Sequence, residues 1–367
     1  MGNFGLIDLE TPKEALIKKS MKDGSDMILV FSDEFNEEGR TFYPGDDPYW
    51  EAEDLHYWAT NNLEWYDPEA ITTSGGALVI TFSEKETHDL GYQGGKLSIW
   101  NKFCFTGGYI ETAVQLPGRN NVVGMWPAVW TMGNLGRAGY GASLEGMWPY
   151  TYDSCDVGTA PNQTFNGGPL PALVDGDHAY GGALSYLPGQ RLSRCTCDGE
   201  SHPGPKHEDG TYVGRSAPEI DVLEAQVGGT PPTGEVSQSA QWAYISWVSN
   251  GTMSWTLNAP GLGPDPSVEI SARPVPQEPM YIIVNLGMSK NFGSIDFEHL
   301  TFPTSMRIDY IRVYQDMHRV NIGCDPTDFP TADYINTYIE AYTNPNLTTW
   351  RGDYGKPFPK NSFIESC

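Results

Sequence analysis

The stretch Glu219-Ile220-Asp221-Val222-Leu223-Glu224-Ala225 places three carboxylates in a run that otherwise reads as a β-strand. Side chains alternate faces along a strand, so Glu219 and Asp221 share one face and Glu224 points away from both. One extra residue at Val222 or Leu223, a β-bulge, returns Glu224 to the face of the other two. The strand is then expected to carry a row of three acids. Such a row suits double displacement at the anomeric carbon of a sugar, which needs a carboxylate nucleophile and a carboxylic acid about 5–5.5 Å apart. An extended backbone holds Glu219 and Glu224 farther apart than that, so the bend of the bulge must lean them together. Asp221 is too near both for all three to ionise freely, and is expected to share a proton with Glu219 and help keep Glu224 protonated. The alternative is an edge strand with a solvated charged face, and the surrounding sequence decides between the two.

Composition favours one large all-β domain. The 41 Gly, 28 Pro and 45 aromatic residues (14 Phe, 11 Trp, 20 Tyr) among 367 suit many short strands joined by turns, and long amphipathic helical patterns are scarce. A net charge of −25 argues against nucleic acid or an anionic membrane surface as partner, whereas a neutral polysaccharide meets no such repulsion. Much of the charge also serves solubility.

Six cysteines, Cys104, Cys155, Cys195, Cys197, Cys324 and Cys367, together with the sequons at Asn162, Asn250 and Asn346, favour a lumenal or extracellular setting. Cys195-Thr196-Cys197 lacks the two-residue spacer of a zinc knuckle and has no nearby His pair, so disulfides are expected and no metal site. Cys155 with Cys195 or Cys197 would tie down the loop between them, and Cys324 with Cys367 would staple the tail. His88, His178, His202 and His207 lie in loop-like stretches without ligand spacing and read as surface residues. No segment approaches the ~20 apolar residues of a membrane span. Residues 1–6 carry neither a basic region nor an apolar core, so the expectation is an ectodomain with its signal or membrane anchor upstream of residue 1.

Along the chain, residues 1–26 read as a polar, irregular strap. Strands are expected at 27–31, 77–82, 236–243, 244–247, 254–257, 280–286 and 306–314. Residues 96–116 alternate in two halves around Gly107-Gly108, which predicts a hairpin. Residues 133–217, rich in Gly, Pro, Tyr and Asp, read as a long cysteine-bearing loop, and a loop of that length is usually functional or disordered. Beyond Gln315 the tail, 316–367, places Tyr334, Ile335, Tyr338, Ile339 and Tyr342 on one helical face.

Gly107-Gly-Tyr-Ile-Glu-Thr-Ala-Val-Gln-Leu-Pro117 is followed by Gly124-Met-Trp-Pro-Ala-Val-Trp-Thr-Met-Gly133, the acid strand, Pro279-Met-Tyr-Ile-Ile-Val-Asn-Leu-Gly287 and Met306-Arg-Ile-Asp-Tyr-Ile-Arg-Val-Tyr314. In order and spacing these segments resemble glycoside hydrolase family 16, from about Phe31 to Gln315, which implies a catalytic domain over residues 27–315. Cys195-Thr-Cys-Asp-Gly-Glu-Ser-His-Pro-Gly-Pro205, Asn285-Leu-Gly-Met-Ser289 and Cys324-Asp-Pro-Thr-Asp-Phe-Pro330 resemble, more narrowly, the fungal β-glucan synthesis-associated proteins of cell-wall β-1,6-glucan. The resemblance implies a β-jelly-roll sandwich of two antiparallel sheets with a concave carbohydrate-binding cleft. It also implies Glu219 as nucleophile, Asp221 as assisting acid, Glu224 as general acid/base, no cofactor and no catalytic metal.

By family position Trp126 and Trp130 line the cleft, with Trp100 as a further candidate, since aromatic rings stack on the apolar C–H faces of sugars. Gln238 and Gln241, on the strand after the acids, are candidates to hydrogen-bond hydroxyls. The group is expected to carry a longer aromatic-rich stretch where Ala243 and Tyr244 abut here. The resemblance points to a membrane-anchored, cell-wall β-glucan glycosidase or transglycosylase. The alternatives are a catalytically silent glucan-binding scaffold and a plain secreted endo-β-glucanase.

Overall fold

The computed structural model describes residues 5–240, 245–249, 252–257 and 263–367. Strands dominate. In chain order they are β1 (Ile17–Lys19), β2 (Asp26–Asp33), β3 (Glu51–Ala52), β4 (Leu55–His56), β5 (Glu64–Tyr66), β6 (Ile71–Thr73), β7 (Leu78–Phe82) and β8 (Tyr92–Ser98). They continue with β9 (Tyr109–Gln115), β10 (Trp126–Gly133), β11 (Glu219–Gly228), β12 (Thr233–Ala240), β13 (Ile245–Ser249), β14 (Thr252–Leu257), β15 (Met280–Gly287) and β16 (Thr304–Asp316). Two compact units share the chain. One comprises the chain to Thr131, Asp221–Ser239 and Tyr281–Gly323, and the other Met132–Ile220, Ala240–Met280 and Cys324–Cys367.

The first unit is a β-sandwich. A six-stranded sheet runs β1-β2-β16-β7-β6 with β9 also on β16, and an eight-stranded sheet runs β12-β11-β10-β15-β8-β5-β4 with β3 on β8. The non-consecutive neighbours are the crossovers of a jelly roll. Strand β16 pairs antiparallel with β2, β7 and β9, and β15 pairs antiparallel with β8, while β5 joins β8 in parallel. All eight residues of β15 are buried, as a continuous apolar run between layers predicts. Gly95 of β8 lets the sheets approach. A Cβ there would lie 2.6 Å from Ile71 Cγ1 and 2.9 Å from Ile80 Cγ2.

Two expectations in this unit are corrected. Residues 96–116 do not form a hairpin, because β8 belongs to the eight-stranded sheet and β9 to the six-stranded one. The two glycines instead bring the chain into the β9–β16 ladder: both have positive φ, 67° and 134°, and a Cβ on Gly108 would meet the Tyr314 carbonyl oxygen at 2.6 Å. The strap is not wholly irregular either, since Ile17–Lys19 pairs antiparallel with β2.

The second unit is rich in loops, with short helices at Gly141–Leu144, Leu170–Val174, Ala332–Thr337 and Ile339–Thr343 and the antiparallel pair β13–β14. Disulfides join Cys155 to Cys195 and Cys197 to Cys367, and Cys104 and Cys324 are also disulfide-bonded. The expected Cys324–Cys367 staple is therefore corrected. The last residues fold back along the 195–197 segment, where Cys197 N–H donates to Lys360 O and Ser362 N–H to Cys195 O, and this carries Cys367 to Cys197. The single tail helix is also corrected: Tyr338 leaves the helical region (φ −117°, ψ 31°) and Ile339 is exposed.

Buried arginines hold this unit together. Arg215 forms a two-pronged ion pair with Glu278, Nε to Oε1 at 2.8 Å and Nη2 to Oε2 at 2.7 Å, and its Nη1 donates to the carbonyls of Gly204 and Pro330. Arg191 donates to the carbonyls of Ala142, Ser143 and Glu145 and lies over the Trp350 ring. His202 is not a surface residue as expected. It stacks on Tyr212 at 4.2 Å, and burial pushes its pKa down to about 3.

Candidate active site

Strand β11 carries all three acids, Glu219 and Glu224 half-buried and Asp221 buried. Burial is the main force on Asp221. Together with the nearby negative charge of Glu224 it raises the carboxyl to about 7, against the opposing hydrogen bond from the Ser239 hydroxyl of β12.

Burial also raises Glu224, while Trp126 opposes the shift by donating its indole N–H to Glu224 Oε1 at 3.1 Å. A shift upward by burial is in the direction that a general acid needs. Trp126, the first residue of β10, stacks on Phe292 with ring centroids 4.1 Å apart and planes 7° from parallel. Trp130, four residues on, shares its strand face but is buried, and its indole N–H donates to Asn285 Oδ1 of β15 at 2.8 Å.

Glu219 opens β11 and accepts a 2.8 Å hydrogen bond at Oε2 from the indole N–H of Trp148.

The structure thus gathers Asp221, Glu224 and Trp126 with Ser239 and Phe292, and gives Glu219 an indole donor. Trp100 is half-buried just beyond β8. Gln238 donates from Nε2 to the Val222 carbonyl, which ties β12 to the backbone of β11. Gln241 and Asn250 lie outside the described residues. Asn162 and Asn346 are exposed. Sequence reasoning missed Trp148, Ser239 and Phe292. Trp148 lies in a stretch without periodicity and 71 residues before its partner, so no local signal marks it. Among the described residues no group of three or more His, Cys, Asp or Glu is placed to hold a metal ion. No helix among them is long and apolar enough to cross a membrane.

The family described as "Beta-glucan synthesis-associated protein SKN1/KRE6/Sbg1" matches residues 2–245 and 242–367. Relatives include the β-glucan synthesis-associated protein SKN1 of Candida albicans, 41% identical over 98% of this chain and 54% of its own length. KRE6 of Saccharomyces cerevisiae, described in the same words, is 41% identical over 99% of this chain and 56% of its own length. The chain therefore spans about half the length of these curated relatives. The aligned stretches, 428 and 431 positions, exceed the chain's 367 residues, so the relatives carry residues that it lacks. The family match divides at residues 242–245, around the Ala243–Tyr244 junction. Solved structures with partial likeness include the endo-1,3-β-glucanase (laminarinase) catalytic domain of Thermotoga petrophila RKU-1, at TM-score 0.46 and 20% identity over 80% of this chain and 99% of that chain. The endo-β-1,3-glucanase of Pyrococcus furiosus gives TM-score 0.47 and 17% identity over 82% and 98%.

Proposed function

The chain belongs to the SKN1/KRE6/Sbg1 family of β-glucan synthesis-associated proteins, and from that premise we propose that it is a retaining β-glucan glycosidase or transglycosylase of fungal cell-wall β-1,6-glucan assembly. The observation that carries this reading is one strand bearing three acids in graded environments: Glu219 beside an indole donor, Asp221 raised to about 7, Glu224 raised by burial.

In the proposed mechanism Glu219 attacks the anomeric carbon as Glu224 gives its proton to the leaving glycosidic oxygen, and a glycosyl-enzyme forms. Glu224, now a carboxylate, takes the proton of the acceptor hydroxyl. The acceptor's oxygen attacks the anomeric carbon and Glu219 leaves with retention. Asp221 shares a proton with its neighbours, so negative charge does not accumulate on the strand. A sugar hydroxyl as acceptor gives transglycosylation and water gives hydrolysis. The family's part in glucan synthesis favours the sugar. Disulfide bonding of all six cysteines supports a lumenal or extracellular setting.

Incubation with β-linked gluco-oligosaccharides tests the reading. Products longer than the donor are expected early, increasingly so as acceptor concentration rises, and Glu219→Gln and Glu224→Gln should each abolish them. Shorter sugars alone at high acceptor concentration would make it a hydrolase. Tight glucan binding without product, in a chain with the relatives' additional residues restored, would make it a binding scaffold.

A further inference from the structure

Trp58 is 57% exposed, yet it is held firmly. It opens the one-turn helix Trp58–Thr60, and its ring meets His56 edge-on at 4.0 Å and 74°. His56 is buried and its Nε2 donates to the Asn62 carbonyl at 2.7 Å. Asn62 in turn donates to Glu64 Oε1 at 2.7 Å and to the Tyr66 hydroxyl at 3.2 Å. Every step from the exposed indole to the sheet is a packed ring or a hydrogen bond, so little ordering entropy remains to be lost on binding.

The base of this turn rests on the residues that follow β15. Leu63 N–H donates to Met288 O at 2.9 Å, Met288 N–H to Glu64 Oε2 at 3.0 Å, and the Ser289 hydroxyl to Thr60 O. Three residues later Phe292 stacks on Trp126, the donor to Glu224. One short segment, 288–292, therefore fixes the Trp58 turn at one end and the aromatic pair beside the general acid at the other.

Resting on the glucan reading above, we propose that Trp58 is a second sugar-stacking residue, which extends the acid site to hold an extended β-linked glucan chain. An indole face offers apolar area to the C–H face of a sugar ring. With strands about 4.8 Å apart, β15 lies about 10 Å and β4 about 24 Å from β11 in the sheet order, so a ligand touching both Trp58 and the acids must be longer than a disaccharide. Single exposed aromatics are common on protein surfaces. What distinguishes Trp58 is its anchoring to the segment that also supports Trp126.

The test is calorimetric titration of the full chain with β-1,3- and β-1,6-linked gluco-oligosaccharides of two and six residues. Trp58→Ala is expected to weaken binding of a hexasaccharide roughly 5- to 10-fold and to leave the disaccharide within about twofold, and Trp58→Phe should recover most of the loss. Unchanged hexasaccharide binding in Trp58→Ala overturns the proposal and leaves the glucan reading standing. So does equal weakening on both lengths, which marks a general structural effect. If the wild-type chain binds neither length, the glucan reading falls and this proposal with it.

Discussion

In the sandwich most fully buried side chains are apolar, such as Phe31, Leu97 and Ile283, with Glu64 and the Lys96–Glu53 ion pair among them, whereas in the loop-rich unit they include the guanidinium groups of Arg191 and Arg215, which bond to loop carbonyls. The sheets satisfy their own backbone through ladders, so apolar burial makes up most of their core. The loop-rich unit has few ladders, and its carbonyls at Ala142, Ser143, Glu145, Gly204 and Pro330 take hydrogen bonds from arginine instead. Two disulfides, closing separations of 40 and 170 residues, further restrict its unfolded chain. The difference teaches where each unit is vulnerable: the sandwich to lost volume, the loops to lost charge partners and cross-links.

The strongest test of that contrast is Arg215→Met. It leaves the buried Glu278 carboxylate unpaired and is expected to cost about 3–5 kcal/mol in chemical denaturation. Ile283→Val in the sandwich should cost only about 0.5–1.5 kcal/mol. Equal losses at the two sites would break the comparison. Next, Cys155→Ser with Cys195→Ser is expected to destabilise by about 2–4 kcal/mol. Hydrogen exchange should then accelerate in residues 133–217 while amides of β15 and β16 stay protected.

A last test sharpens the comparison from the sandwich side, whose core also buries the acid Glu64. Burial raises this carboxyl to about 8, against hydrogen bonds from Asn62 and the backbone. The folded state therefore favours the protonated form. The stabilisation is complete below the ordinary carboxylate pKa of about 4.5 and is lost as pH rises through about 8. Glu64→Gln should flatten the stability–pH curve between about pH 5 and pH 8 by on the order of 2 kcal/mol, read from denaturation midpoints. An unchanged slope would show that Glu64 is not the titrating group.

The fold was legible where a period was legible. Residues 280–286 and 306–314 read as strands from their apolar runs, and the structure extends them to Met280–Gly287 and Thr304–Asp316, the first buried between layers and the second paired with three partners. The supposed hairpin at 96–116 failed because alternation reports a strand's faces and not its partner. The acids of β11 were visible as charges in an apolar run. Trp148 and Ser239 were not, because residues distant in sequence leave no spacing to read. The Cys197–Cys367 bond was hidden for the same reason, its pairing being set by how the tail packs against residues 195–197.

The central claim, that β11 supplies a nucleophile and a general acid for double displacement, is tested most directly by trapping the intermediate. A 2-deoxy-2-fluoro-β-glucosyl donor with an activated leaving group should slow turnover of the glycosyl-enzyme, and mass spectrometry of digested protein should place one fluoroglucosyl adduct on Glu219. The Glu224→Ala variant, which an activated donor relieves of the need for an acid, should carry the same label. An adduct on another residue, or a product released with inverted anomeric configuration, would contradict the account.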